Sequence, residues 1–113
     1  MAVDTGKIVR GMARFMDEEM LPQMTGMPKV LGGVGMGMFL NNAQHSLEAY
    51  KDKEWAKMIG LIDDRGEYCV EQVYEELLKQ VRREPIVFDV PVIGRITMRE
   101  QDVSRLYQHI MNA

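Results

Sequence analysis

Reactive side chains are scarce in this chain. It has one cysteine, Cys69, and two histidines, His45 and His109, which lie far apart in the sequence. A lone cysteine forms no intramolecular disulfide, and no zinc-type spacing surrounds it, so the sequence reads as a reduced, intracellular protein of the cytoplasm. A metal site would have to be assembled by the fold from distant residues; neither a metal nor a cofactor is expected. No sign of charge dominates either. The chain carries 14 Lys and Arg against 17 Asp and Glu, net −3. The surplus is spread evenly, with 4 basic and 5 acidic residues up to Tyr50, 7 and 8 from Lys51 to Arg83, and 3 and 4 beyond. A basic tail or face is therefore missing, which disfavours a nucleic-acid partner. Long apolar runs are missing too. Asp4, Lys7, Arg10 and Arg14 interrupt the start in a way a signal peptide would not. The uncharged apolar stretch Val30–Leu40 is well short of the ~20 residues that cross a bilayer, and no membrane association is expected.

What is present is a pattern of helices. With 113 residues, 46% of them apolar, the chain fits one domain spanning 1–113 and one core. From Thr5 to Leu21, Ile8, Val9, Met12, Phe15, Met16, Met20 and Leu21 recur at three and four, the spacing of one helical face; Asp4 or Thr5 caps the start and Pro22 ends it. Glu18 and Glu19 meet the negative end of that helix's dipole, so its C-terminal turn needs outside support. A second helix is expected over Lys29–Tyr50 and a short third over Asp52–Ile62, with Asp52 as cap and Trp55, Met58 and Ile59 buried. Asp63-Asp64-Arg65-Gly66 reads as a turn. A fourth helix runs from about Val70 to Arg83, where Pro85 stops it.

The stretch Ile86–Pro91, a tip of Val92-Ile93-Gly94 and Arg95–Met98 read as a β-hairpin over about 86–98. With Gly94 in the left-handed position, Val90 is expected opposite Ile96 and Phe88 opposite Met98, so that apolar meets apolar. Thr97 with Glu100 three residues on forms a capping box for the last helix, whose stripe is Val103, Leu106, Tyr107, Ile110 and Met111. The expected fold is mainly α: about five helices with one two-stranded hairpin before the C-terminal helix.

Chemistry is hard to place on this scaffold. The cluster Gly32, Gly33, Gly35 and Gly37 looks like a phosphate loop and fails as one. A dinucleotide fingerprint needs a third glycine where Met38 or Leu40 stands, and no Gly-Lys-Ser/Thr follows. The turn at Asp63 is no calcium loop, because Gly66 in sixth place makes the first ligand Leu61. The chain reads as non-enzymatic.

Contact surfaces are easier to place. Gly33 and Gly37 have the four-residue spacing that lets helices approach closely, whether inside the fold or between copies; the alternative reading of 32–37 is an irregular glycine-rich loop. Val30, Leu31, Val34 and Met38 form one apolar face of the second helix, while Met36, Phe39, Leu40, Ala43, Leu47 and Tyr50 form another. A helix apolar on both sides is either central in its fold or shared with another chain. Met12, Met16, Met20 and Met24, spaced by four, suit a core first and an adaptable partner surface second. Val92 and Ile93 at a hairpin tip either fold back on the core or hook another subunit. The candidate interface is thus Met12, Met16, Met20, Gly33, Val34, Gly37, Met38, Val92 and Ile93.

From Ile59 to Ile110 the pattern is familiar as a whole. Gly60-Leu61-Ile62-Asp63-Asp64-Arg65-Gly66, Val73-Tyr74-Glu75-Glu76-Leu77, Phe88-Asp89-Val90-Pro91-Val92-Ile93-Gly94-Arg95-Ile96-Thr97 and Asp102-Val103-Ser104-Arg105-Leu106-Tyr107 together resemble small proteins encoded in prophages of Gram-positive bacteria. The resemblance implies a phage setting and carries no activity with it. The function expected is a self-associating interaction or assembly protein that contacts its own copies and other phage proteins. The rival is a winged-helix DNA-binding regulator, suggested by the order helix, turn, helix, hairpin, helix after Asp52. Glu71, Glu75 and Glu76 on the would-be reading helix speak against it.

Overall fold

The computed structural model describes residues 1–23, 29–91 and 93–113, with the backbone alone at 23 and 29–33. Five helices and two small antiparallel sheets make up the described fold, and a hairpin precedes the last helix, as the sequence predicts. The short strand β1 (Ala2–Val3) leads into α1 (Thr5–Phe15). The Asp4 carboxylate accepts the Lys7 N–H at 2.8 Å and so satisfies one of the helix's free donors. Ile8, Gly11 and Phe15 are buried along one side.

Past Phe15 the expected helix continues but changes its winding. Met16–Met20 form a wide π turn, in which the Leu21 N–H donates to the Met16 carbonyl, and Leu21–Gln23 form a tight 3₁₀ turn. Pro22 explains the change: in α geometry its ring would press on the carbonyl four residues back. The wide turn keeps Phe15, Met16 and Met20 inside. Its acidic end finds the support it needs from α5 (Glu100–Met111), where His109 Nε2 lies 2.9 Å and Arg105 Nε 3.6 Å from the Glu19 carboxylate.

Helix α2 (Lys29–Tyr50) has the predicted bounds. Its inner face, with Met36 buried and Phe39, Leu40 and Leu47 half-buried, packs on α1 and on β3 (Ile86–Val90). Phe39 meets Phe88 edge-on at 5.5 Å. Helix α3 is only Glu54–Met58, shorter than predicted, and Lys53 rather than Asp52 stands at its start. The correction extends to its packing. Ala56 is its buried residue, while Trp55, Met58 and Ile59 face outward. The cause is local: Gly60 takes φ +79°, and the Leu61 and Ile62 N–H groups fold back onto the Ala56 carbonyl, at 2.9 and 3.3 Å. The predicted turn follows, with Asp63 Oδ1 accepting the N–H groups of Arg65 and Glu67.

Strand β2 (Tyr68–Cys69) pairs with β1, a contact that the sequence does not announce. Tyr68 is fully buried, and its hydroxyl donates to the Leu47 carbonyl at 2.5 Å, tying α2 to this small sheet. Burial above all, with Glu48 and Tyr50 adding to it, pushes the Tyr68 hydroxyl from 10.0 up to about 12. Helix α4 (Val70–Arg83) matches its prediction.

In the hairpin, β3 and β4 (Gly94–Met98) pair with Val90 opposite Gly94, Phe88 opposite Ile96 and Ile86 opposite Met98. The register is therefore two residues from the predicted one. A shift of two preserves the pleat, so the apolar side stays apolar; it also sets Asp89 against Arg95, which ion-pair at 3.2 Å. Gly94 has the expected positive φ, +108°. Thr97 lies within β4 rather than capping a helix. Arg99 takes the cap position of α5, and its N–H donates to the Asp102 carboxylate at 2.9 Å.

The four long helices pack in the order α2, α1, α5, α4, with α1 and α5 in the closest association. Gly11 makes that possible, since a Cβ there would lie 2.4 Å from the Ile110 Cα. Gly11→Ala should therefore lower the stability read by urea denaturation by about 3 kcal/mol; an unchanged midpoint would mean the two helices do not meet at this point. At Gly94 the space is open and the φ alone matters, so Gly94→Val should cost about 1–2 kcal/mol in the same assay. Tyr68 sets an alkaline limit. Its folded value lies above its unfolded one, so its contribution is whole below pH 10 and is lost as pH rises toward 12. Comparison of thermal midpoints should show a steeper decline across that window in the native chain than in Tyr68→Phe.

Candidate functional site

The described residues hold no group of three His, Cys, Asp or Glu side chains placed to bind a metal. Cys69 is half-buried with its Sγ 3.6 Å from the Glu71 carboxylate, and His109 is engaged by Glu19 and Glu18 at the junction of the π turn and α5. The thiol and the imidazole thus have separate partners and do not form a nucleophile–base pair. Two apolar depressions, one between α4 and α5 and one between α1, α2 and the hairpin, have room for little more than a water.

The residues singled out from sequence divide into two groups. Met16, Met20 and Ile93 are buried within the protomer, so they are core and not docking surface; Met12 is half-buried against the same core. The methionine row is inward because α1 is covered on one side by α2 and on another by α5. The hairpin tip folds back at Ile93, while Val92, Met24 and the side-chain surroundings of Gly33 lie outside the described residues. The second group is Val34, Gly37 and Met38. All three are exposed on the outer side of α2, with Val34 53% and Met38 52% accessible. A Cβ at Gly37 would meet nothing within 4 Å.

The outer side of α2 has a property that none of its residues shows alone. On a helical wheel Val34, Gly37, Met38, Asn41, His45 and Glu48 share the side opposite Met36, Leu40, Ala43 and Leu47, and every one of them is exposed. Between Lys29 and Glu48 there is no Asp, Glu, Lys or Arg. About 20 Å of solvent-facing helix, from Val34 to Leu47, is therefore free of formal charge. Helix α4, the other outer helix of the row, provides the contrast: its exposed positions are Glu71, Glu75, Lys79, Gln80, Arg82 and Arg83. Both helices are amphipathic in the sense that one side is buried, but only α4 wears an ordinary solvent face. Charge depletion at the centre of a patch, with methionine among its residues, is the composition of contact surfaces.

A second exposed apolar group is absent from the sequence-based expectation. Trp55 is 50% and Met58 81% accessible, Ile59 is exposed beside them, and Tyr50 meets Trp55 edge-on at 5.8 Å. Periodicity identifies the apolar side of this short helix, but it carries no information on whether anything covers that side. No protein-family model, curated protein or solved structure matches this chain.

Proposed function

We propose that this chain is a non-enzymatic interaction or assembly protein that associates with its own copies through the outer side of α2. The observation that carries the reading is the uncharged, partly apolar strip from Val34 to His45 on a helix whose other side is already buried. At ~25 cal/mol per Å², covering even part of Val34 and Met38 is worth having only if no ionised group is buried with them. The strip meets that condition. The copy is favoured over an unrelated partner because a symmetric pair lays the same strip against itself, where a run of like charge would repel its own copy; a strip without charge avoids that repulsion.

The setting we propose is that of a prophage, on the resemblance carried by residues 59–110, with other phage proteins as further partners and the cytoplasm as compartment. Among the described residues no helix is long and apolar enough to cross a membrane. The winged-helix alternative finds less support. Its first helix would be α3, a five-residue helix. Its wing holds Arg95 in an ion pair with Asp89, and Arg82 on its reading helix is paired with Glu100 at 3.0 Å.

Light scattering over a concentration series, with a gel shift on random duplex DNA at rising salt, tests the two readings together. Association without DNA binding is expected; a salt-sensitive shift by a monomer would overturn the proposal. Met38→Lys places a charge on the strip and should weaken association about tenfold or more. Gly37→Leu should do the same by holding the helices apart. Met38→Lys should melt within about a degree of the parent and Gly37→Leu a few degrees higher, since neither position packs within the protomer and leucine removes the helix penalty of glycine. Association unchanged in both would remove α2 from the interface.

A further inference from the structure

The order of residues along the outer side of α2 also carries a direction. Val34, Met38, Asn41, His45 and Glu48 follow one another at intervals of four, three, four and three, the spacing of a seam along which two helices run side by side. The seam is apolar at Val34 and Met38 and polar but formally uncharged at Asn41 and His45, and the charge of Glu48 ends it. From this order we infer that two copies pair in parallel and in register along α2, each seam residue facing its own counterpart. The inference rests on the self-association proposed above and adds its geometry.

Three arrangements compete, and the sequence of the seam separates them. Antiparallel pairing over the whole seam sets Val34 against His45 and Met38 against Asn41, so that an amide and an imidazole are taken from water and given only carbon to face. Antiparallel pairing over the apolar half alone sets Val34 against Met38 and leaves Asn41 and His45 in solvent. In that case nothing would keep charge away from residues 41–47, yet none occurs there. Parallel pairing sets valine on valine and methionine on methionine, lets the two Asn41 amides hydrogen-bond to each other, and accounts for the missing charge over both halves. A buried Asn pair of this kind also penalises any slipped register, because slippage leaves each amide without its mate. The first charge of the strip, Glu48, lies one turn beyond His45, where Lys51 at 3.5 Å supplies a partner within the same chain.

Disulfide trapping decides among these geometries. In a Cys69→Ser background, Met38→Cys and His45→Cys are made singly, and Val87→Cys, exposed on β3, serves as the collision control. Parallel pairing predicts that both seam cysteines cross-link to their own copies under mild oxidation, about tenfold or more faster than the control. Cross-linking at position 38 without position 45, fastest in a mixture of Val34→Cys with Met38→Cys chains, would overturn the inference in favour of the short antiparallel crossing. Cross-linking only in a mixture of Met38→Cys with Asn41→Cys chains would overturn it in favour of the full antiparallel one. Light scattering on the Cys69→Ser parent keeps this failure distinct from that of the underlying proposal. A parent that associates while no seam cysteine cross-links uses another surface, and a parent that stays monomeric has no such interface.

Discussion

The fold turns on one place where a side chain is missing. At Gly11 the backbones of α1 and α5 come so close that an added methyl group would overlap the main chain of Ile110. Packing in a protein interior is dense enough that such a contact admits very little adjustment, and it therefore sets the spacing and lateral position of the two helices. The rest of the α1–α5 contact inherits that alignment. One turn on, Phe15 lies against the His109 ring, with centroids 6.2 Å apart, and beyond that the π turn brings Glu19 to His109 and Arg105. Acidic residues at a helix C-terminus are a local liability. Here they become the polar clasp that closes the pair of helices.

With α1 held between α2 and α5, the two outer helices have one free side each, and the chain treats those sides differently. Helix α4 covers its side with ionic residues, among them the Lys79–Glu76 pair at 3.3 Å. Helix α2 leaves its side uncharged. The glycines of α2 gain a meaning from this position. A helix with several interior glycines is weakened by roughly 0.5–1 kcal/mol for each of them, and the core does not explain Gly37, which touches nothing inside the protomer. A glycine that costs stability and packs on nothing within its own chain is intelligible where another helix must come close.

How much of this was legible in the sequence differs from element to element, for physical reasons. The end of α4 could be read because Pro85 bounds a long amphipathic segment and leaves little choice. The positive φ of Gly94 was legible because few other residues tolerate it. The hairpin register was legible only modulo two: alternation specifies which side a residue faces and not its partner, so a slide of two residues satisfies the same pattern. The cap of α5 was misplaced by two residues because the residue that takes the position, Arg99, is not a usual capping side chain; what marks the start is the Asp102 carboxylate three residues on, which accepts the Arg99 N–H. The pairing of Ala2–Val3 with Tyr68–Cys69 was invisible, since a two-residue strand has no period. Gly11 was legible in principle. It is a lone glycine on the inner face of an otherwise well-made helix, flanked by Ile8 and Phe15, and such a position commonly marks a close approach. The denser cluster in α2 drew the eye instead, although of its described members Gly35 is buried and Gly37 makes no internal contact.

The candidate surface shows the limit of periodicity more generally. Apolar spacing in Met12, Met16 and Met20 and in Trp55, Met58 and Ile59 is of the same kind, yet the first set is largely enclosed and the second is exposed. Amphipathic spacing establishes that one side of a helix differs from the other; which side meets protein depends on neighbours many residues away. Charge is a better guide to the outer surface, because the desolvation of an ionised group is penalised wherever the burying neighbour comes from. A solvent-facing helix without ionic residues over about four turns is relieved of that penalty in advance. In this molecule the relief occurs on one outer helix and not on the other, and it extends over amides and an imidazole as well as over Val34 and Met38. A requirement for hydrophobicity alone would have no reason to stop charge at residues 41–47. A requirement that like meet like along a shared seam would.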